Sequence, residues 1–250
     1  MRKYGLIGYP LGHSFSKSYF IEKFLRENIA GCSYDNFPLQ DLSLLPDLLS
    51  GESDLKGLNV TIPYKSEIFA YIDIIDPEAI EIGAVNVLKI NHSRGKIQLS
   101  GYNSDVTGIS DSLSPYLSRN IKNAIVLGTG GSSRAVCYVL KKYGLNIMQV
   151  SRHKKHGIID YSEISEEDIA RAGLIVNTTP LGMFPHIETR PEINYSILNQ
   201  NHILFDLVYN PELTLFLRSG MERGCSVITG LKMLHSQAEK AWQIWNDESL

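Results

Sequence analysis

Short apolar runs alternate along this chain with stretches whose apolar residues recur every three or four positions, so strands are expected to alternate with helices. Residues 4–8 read as a first strand, broken by Tyr9-Pro10. The loop of residues 11–16 then leads to a helix whose stripe is Phe20, Ile21, Phe24 and Leu25. Residues 32–37 form a second strand and residues 39–49 a helical stretch. Residues 55–60 make a buried strand, and Pro63, pre-set for a first helical turn, predicts a helix carrying Lys65. Asp76-Pro77-Glu78 starts a short helix ending near Gly83. Residues 84–90 and 96–102 pair as a hairpin around the turn formers of residues 91–95. The first half of the chain therefore carries a mixed sheet.

A helix over residues 104–117 precedes a cleaner series. Residues 124–127 are an apolar run feeding Gly128-Thr129-Gly130-Gly131, and a helix with Ala135, Val136, Val139 and Leu140 on one face follows. Strands at 147–151, 174–178, 203–209 and 226–229 alternate with helices at 165–171, 214–223 and 231–245. Repeated βα units of this kind give a parallel, doubly wound sheet. The fold class is α/β with two domains: residues 1–105, completed by 232–250, and residues 106–231. The last helix is expected to return to the first domain, packing through Leu231, Leu234, Ala238, Ala241 and Trp242.

At 250 residues and 43% hydrophobic, the chain is long and apolar enough to be globular. A net charge of −3 disfavours nucleic acid and an anionic membrane surface as partners. Cys32, Cys137 and Cys225 are odd in number and far apart, which suits reduced thiols in the cytoplasm. No apolar run reaches the ~18 residues of a spanning helix, and the start is broken too soon for a signal peptide. His153 and His156 stand in a lysine-rich loop, so no metal is expected.

Candidate chemistry gathers where strands end. Asn59-Val60-Thr61-Ile62-Pro63-Tyr64-Lys65 puts an ammonium at one junction, and Gly101-Tyr102-Asn103-Ser104-Asp105 puts a carboxylate at another. Two groups able to move a proton, each at the end of a hydrophobic strand, mark a site. The turn Gly128-Thr129-Gly130-Gly131-Ser132 lies after a strand and before a helix, the context of a dinucleotide loop. The next strand ends Val150-Ser151-Arg152-His153-Lys154-Lys155, with no acid before Asp160. A carboxylate would repel a 2′-phosphate, whereas Ser151 and Arg152 would bind one, so the cofactor read here is NADP.

These motifs together resemble the shikimate dehydrogenase family nearly end to end. The chain is similar to it at Gly8-Tyr9-Pro10 with His13-Ser14-Phe15-Ser16, at residues 59–65, at Gly83-Ala84-Val85-Asn86 and at residues 101–108. The likeness continues at residues 128–135, at Asn177-Thr178-Thr179-Pro180, at Asp206 with Tyr209 and Pro211, and at Gly230-Leu231-Lys232-Met233-Leu234 with Gln237-Ala238. Val87 and Ser104 each stand where the family has Thr, and Thr129 where it has Ala.

The resemblance implies a Rossmann-like NADP-binding domain and reversible NADPH-dependent reduction of 3-dehydroshikimate to shikimate, on the route to chorismate and the aromatic amino acids. It implies Lys65 and Asp105 as the catalytic pair. Ser14, Ser16 and Tyr209 would hold the substrate carboxylate, and Thr61, Asn86 and Gln237 would share the ring hydroxyls. Cofactor contacts would come from Gly128, Thr129, Gly130, Gly131, Ser132, Ser151, Arg152, Thr178, Leu207 and Gly230. Without the resemblance, Ser14 and Ser16 read equally as helix N-caps, Asn86 as turn chemistry and Gln237 as an exposed helix face. The competing functions are a quinate/shikimate dehydrogenase using NAD and a non-catalytic sensor of shikimate-like ligands. The partners expected are small molecules, with the protein a monomer or homodimer.

Overall fold

The computed structural model describes residues 1–11, 15–93, 95–154 and 156–247, and the chain folds into two compact units. Met1–Ser104 with Ala238–Leu250 form one, and Asp105–Gln237 the other.

The first unit contains β1 (Arg2–Gly8), α1 (Phe15–Arg26), β2 (Cys32–Pro38), α2 (Leu45–Gly51), β3 (Leu55–Val60), β4 (Ile74–Ile75), α3 (Pro77–Ile82), β5 (Val87–Ser93) and β6 (Lys96–Tyr102). Its six-stranded sheet has the order β2-β1-β3-β5-β6-β4. β1 is parallel to both neighbours, whereas β5 is antiparallel to β3 and β6, so the sheet is mixed. Because side chains alternate along each strand, β1 supplies Ile7 to one core cluster, with Leu45, Leu58 and Ile68, and Tyr4 and Leu6 to another. That second cluster holds Phe20, Phe24 and Tyr34, and it is completed from the end of the chain by Ala238, Ala241, Ile244 and Trp245.

Several local expectations are corrected. The bond Ile62–Pro63 is cis, residues 62–66 form turns, and a 3₁₀ helix spans Glu67–Tyr71. Lys65 therefore stands in a turn and not on the α-helix expected from Pro63. In α1 the buried residues are Tyr19, Phe20, Lys23 and Phe24, whereas Ile21 and Leu25 are 42% and 74% exposed. The expected stripe is thus rotated by one position. Lys23 is tolerated inside because the carboxylates of Glu27 and Glu239 lie 2.8 and 2.7 Å from its ammonium. Of the stretch expected at 39–49 only residues 45–49 are α-helical, in a helix that runs on to Gly51. β5 starts at Val87, not at 84, because the Val85 N–H is directed to the Lys65 carbonyl (2.7 Å). It pairs as far as Ser93 with Lys96, so the ladder runs into the stretch 91–95 expected as a turn.

The second unit contains α4 (Asp105–Leu113), β7 (Asn123–Leu127), α5 (Gly131–Lys142), β8 (Asn146–Ser151), β9 (Ile158–Asp160), α6 (Glu166–Arg171), β10 (Leu174–Asn177), β11 (Ile203–Asp206), α7 (Leu215–Met221) and β12 (Ser226–Ile228). The last helix, α8 (Gly230–Asn246), begins here and continues into the residues that belong to the first unit. α4 stops at Leu113, short of the expected 117, and Ser114–Arg119 is 3₁₀, since Pro115 cannot continue an α-helical hydrogen-bond ladder. The six strands are all parallel in the order β12-β11-β10-β7-β8-β9. Chain order runs outward in both directions from the β10–β7 pair, which is the doubly wound pattern with its switch point at β7. Strands buried on both faces read as continuous apolar runs, and Leu174–Asn177 and Ile203–Asp206 are buried throughout. Among the described residues no helix is long and apolar enough to cross a membrane.

Candidate active site

In the first unit two of the expected substrate residues, Ser16 and Asn86, lie along a polar thread. Ser14, with Gly12 and His13, lies outside the described residues. Ser16 stands in the first turn of α1 and hydrogen-bonds the Tyr34 hydroxyl. Tyr34 donates in turn to Asn59 Oδ1 (2.8 Å), and burial raises its phenol pKa well above the ordinary value. Asn59 Nδ2 donates to the Asn86 carbonyl at 3.4 Å. Asn86, 3% exposed, accepts the Ser104 N–H at 2.7 Å through Oδ1 and donates to Ser104 Oγ at 3.0 Å. Asn103 fastens the same segment by donating to the Ala84 carbonyl at 2.7 Å. The thread therefore runs from Ser16 to the residue that precedes Asp105.

Thr61 and Lys65 sit on the turn after β3. The Thr61 N–H bonds to the Ile7 carbonyl (2.9 Å) and its own carbonyl accepts from Tyr64 (3.0 Å). The Val85 bond to the Lys65 carbonyl fixes the lysine backbone from the other side. Lys65 and Thr61 are half-buried. A backbone anchored at both ends, with a long side chain that keeps partial access to solvent, suits a group that must exchange a proton.

Asp105 opens α4 in the second unit and is 3% exposed. Tyr209 lies half-buried in the loop after β11, and Gln237 half-buried on α8, donating to the Leu234 carbonyl at 3.0 Å.

The nucleotide-side residues gather at the C-terminal edge of the parallel sheet. Gly128 has φ +115°, and a Cβ there would stand 2.4 Å from Thr178 Oγ1, so only glycine fits. A Cβ on Gly130 would meet nothing within 4 Å, which leaves open space beside the backbone for a ligand. Gly130 caps α5 with no side-chain bond, and no acid stands in the first turn. The helix N-terminus thus presents uncapped N–H groups and its positive dipole end, with Thr129, Gly131 and Ser132 around it. This cradle fits a pyrophosphate. The Gly128 carbonyl is held by Ser133 Oγ (2.7 Å) and Gln149 Nε2 (3.0 Å). Thr178 donates to the Leu127 carbonyl through both its N–H (2.9 Å) and its hydroxyl (2.6 Å), which sets the β10 loop against the glycine loop. A Cβ on Gly230 would stand 2.6 Å from the Leu207 carbonyl, so this helix start and that loop touch backbone to backbone.

Ser151 ends β8, and Arg152 follows it, exposed. Asp160 pairs in register with Ser151, but its Oδ1 caps the next turn by accepting from Ser162 N (3.0 Å) and Ser162 Oγ (2.7 Å). Glu163 is paired with Lys154. The acids near this loop are therefore engaged locally, and the donor set of Ser151 and Arg152 fits a phosphate monoester.

Sequence reasoning missed Tyr34, Ser133 and Gln149. Gln149 carried a signal, as a polar residue inside an otherwise apolar strand (Asn-Ile-Met-Gln-Val-Ser). Tyr34 carried none, since an aromatic residue in a strand is ordinary core.

The family model of the shikimate dehydrogenase substrate binding domain matches residues 6–88. The NADP(+) shikimate dehydrogenase of Methanococcus aeolicus is 35% identical, with 96% of this chain and 90% of that protein covered. That of Clostridium beijerinckii is 37% identical over 99% of this chain and 93% of the relative. The chain belongs to the shikimate dehydrogenase family. Among solved structures, shikimate 5-dehydrogenase from Thermus thermophilus, in complex with NADP(H) and shikimate, superposes with a TM-score of 0.83 at 30% identity, covering 98% of this chain and 94% of that one. Of the departures from the shikimate dehydrogenase pattern, Val87 is fully buried in the cluster around Trp245, where the methyl replaces a hydroxyl in an apolar setting. Ser104 keeps the hydroxyl that Asn86 holds.

Proposed function

We propose that this chain is a cytoplasmic NADP-dependent shikimate dehydrogenase that reduces 3-dehydroshikimate reversibly to shikimate, with Lys65 and Asp105 handling the proton. The observation that carries the reading is the near full-length likeness to NADP(+) shikimate dehydrogenases, supported by the uncapped glycine-loop helix of the second unit. When bound, NADPH supplies a hydride to the ring ketone.

The chain's own residues do the rest. Hydride arrival at a ketone carbon leaves negative charge on the oxygen, and the Lys65 ammonium donates its proton there. Asp105 orients that ammonium and accepts from a neighbouring ring hydroxyl. Ser14 and Ser16, with Tyr209, donate to the substrate carboxylate; hydroxyls can hold an anion without a full positive charge. Thr61, Asn86 and Gln237 take the remaining hydroxyls. Gly128 to Ser132 receive the pyrophosphate, Ser151 and Arg152 the 2′-phosphate, and Thr178, Leu207 and Gly230 the nicotinamide half.

Purified protein with shikimate and either NADP⁺ or NAD⁺, followed by the absorbance of the reduced nicotinamide, tests the proposal. Turnover with NADP⁺ well above that with NAD⁺ is expected. No turnover with either removes the enzyme reading, and equal turnover removes the assignment of Arg152. Faster turnover of quinate with NAD⁺ replaces the proposal with its nearest competitor.

A further inference from the structure

The second unit contains a buried carboxylate for which the chemistry above has no use. Asp206 ends β11, fully buried, in register with Asn177 at the end of β10. Its Oδ1 accepts from Asn177 Nδ2 and from the Val208 N–H, each at 3.0 Å, and its Oδ2 accepts from Thr214 Oγ1 at 2.6 Å. These three donors belong to the two loops that leave the sheet edge after β10 and β11. Asn177 extends the set: its Oδ1 accepts from Thr179 N (3.0 Å) and Thr179 Oγ1 (2.6 Å), and its Nδ2 also donates to the Leu181 carbonyl (3.2 Å). Thr214, held by Asp206, caps α7.

We propose that Asp206 is a positioning residue for the cofactor: by gathering Asn177, Val208 and Thr214 it holds the two loops that present Thr178, Leu207 and Gly230 to the nicotinamide half. The proposal rests on the functional reading above.

Residues 178–183 and 207–214 have no helix or strand of their own. Without the carboxylate, two buried N–H donors and a hydroxyl lose their acceptor, and the loops rearrange to satisfy them. Thr178 would then lose its setting against Leu127. The Leu207 and Val208 carbonyls, which a Cβ on Gly230 would approach within 2.6 and 2.7 Å, would move against the start of α8. The adenosine end is spared. Ser151 and Arg152 follow β8, and β10 and β7 stand between β8 and β11. Three strand spacings, about 14 Å, separate the two places.

The test titrates the full chain calorimetrically with NADP⁺ and, separately, with adenosine 2′,5′-bisphosphate, well below the unfolding temperature. Wild type is expected to bind both; binding of neither would remove the functional reading, and this proposal with it, before any variant is made. In Asp206→Ala the Kd for NADP⁺ should rise roughly tenfold, as expected for lost buried hydrogen bonds, while that for adenosine 2′,5′-bisphosphate stays within about twofold. Asp206→Asn keeps the shape and one acceptor oxygen, so the same split should appear at about threefold. It decides the matter if the alanine variant does not fold. Parallel changes in both affinities, or no change in either, would reduce Asp206 to a purely structural residue and overturn the proposal.

Discussion

A lysine that gives a proton in one direction must take it back in the other, so the residue needs an anchored backbone and an ammonium that substrate and solvent can reach. Lys65 has its backbone fixed through Val85 and its side chain half-buried. Replacing it with alanine should lower kcat by about 10²–10⁴, the usual contribution of a positioned acid–base group, with a modest change in KM for shikimate. Steady-state kinetics in both directions check this, and near-normal turnover would exclude the role. Asp206 gives a second prediction at this scale. Burial pushes its carboxyl up to about 7 from the ordinary 3.8, against the three hydrogen bonds that favour its ionised form. Between those values the folded chain holds a proton that the unfolded chain does not, so this group's contribution to stability is full below 3.8 and is lost as pH rises through about 7. The amide introduced by Asp206→Asn cannot titrate. The stability of the wild type relative to that variant should therefore fall as pH rises from 3.8 to about 7 and level off above, when followed by urea unfolding. Lys65 stood out as a candidate in the sequence because it follows an apolar strand that ends in Asn59 and Thr61. The Tyr34–Asn59–Asn86 thread did not, because hydrogen bonds between strands far apart in the chain leave no local pattern.

At the scale of elements, the N-terminus of α5 is poised for an anion and carries no acid of its own. An acidic side chain at position 132 would answer the helix dipole and stabilise the unliganded protein by about 0.3–1 kcal/mol. The same charge would repel a pyrophosphate. Ser132→Asp should raise the melting temperature slightly while weakening NADP⁺ binding by roughly tenfold or more, opposite signs that thermal melts and titration separate. The end of α8 makes a different prediction. Trp245 is 6% exposed, lies 4.9 Å from the Tyr4 ring, and donates to the Leu88 carbonyl at 3.0 Å. A Cβ on Gly57 would stand 2.3 Å from the same indole, so β3 needs glycine for the ring to seat. Trp245→Ala should cost about 3–5 kcal/mol in denaturant unfolding. Elements with one dominant periodicity, such as α5 and β7, could be read from the chain. α1 could not: the stripe Phe20, Ile21, Phe24 and Leu25 gave way to Tyr19, Phe20 and Phe24, which meet Tyr34 and Trp245 from elsewhere in the chain, with Lys23 held among them by Glu27 and Glu239.

At the scale of the whole molecule, the first unit is discontinuous in sequence. Ala238, Ala241, Ile244 and Trp245 complete a cluster otherwise built from residues before position 90. A fragment of residues 1–104 should therefore lack a cooperative urea transition, whereas residues 105–237, whose sheet and core are continuous, should show one. Cooperative folding of the shorter fragment would show that the returning helix is dispensable. Chain order by itself determined that strands and helices alternate, that a parallel series follows Asn123, and that a glycine turn opens its first helix. These are local matters: periodicity, the missing Cβ of glycine and the fixed φ of proline act over a few neighbours. What only the tertiary structure decided was the turn at Pro63, the face that α1 buries, the placing of Asp160 beside Ser151, and the convergence of three donors on Asp206. Each depends on a partner supplied from a distant part of the chain, and the competition between burial and hydrogen bonding is resolved only when that partner arrives.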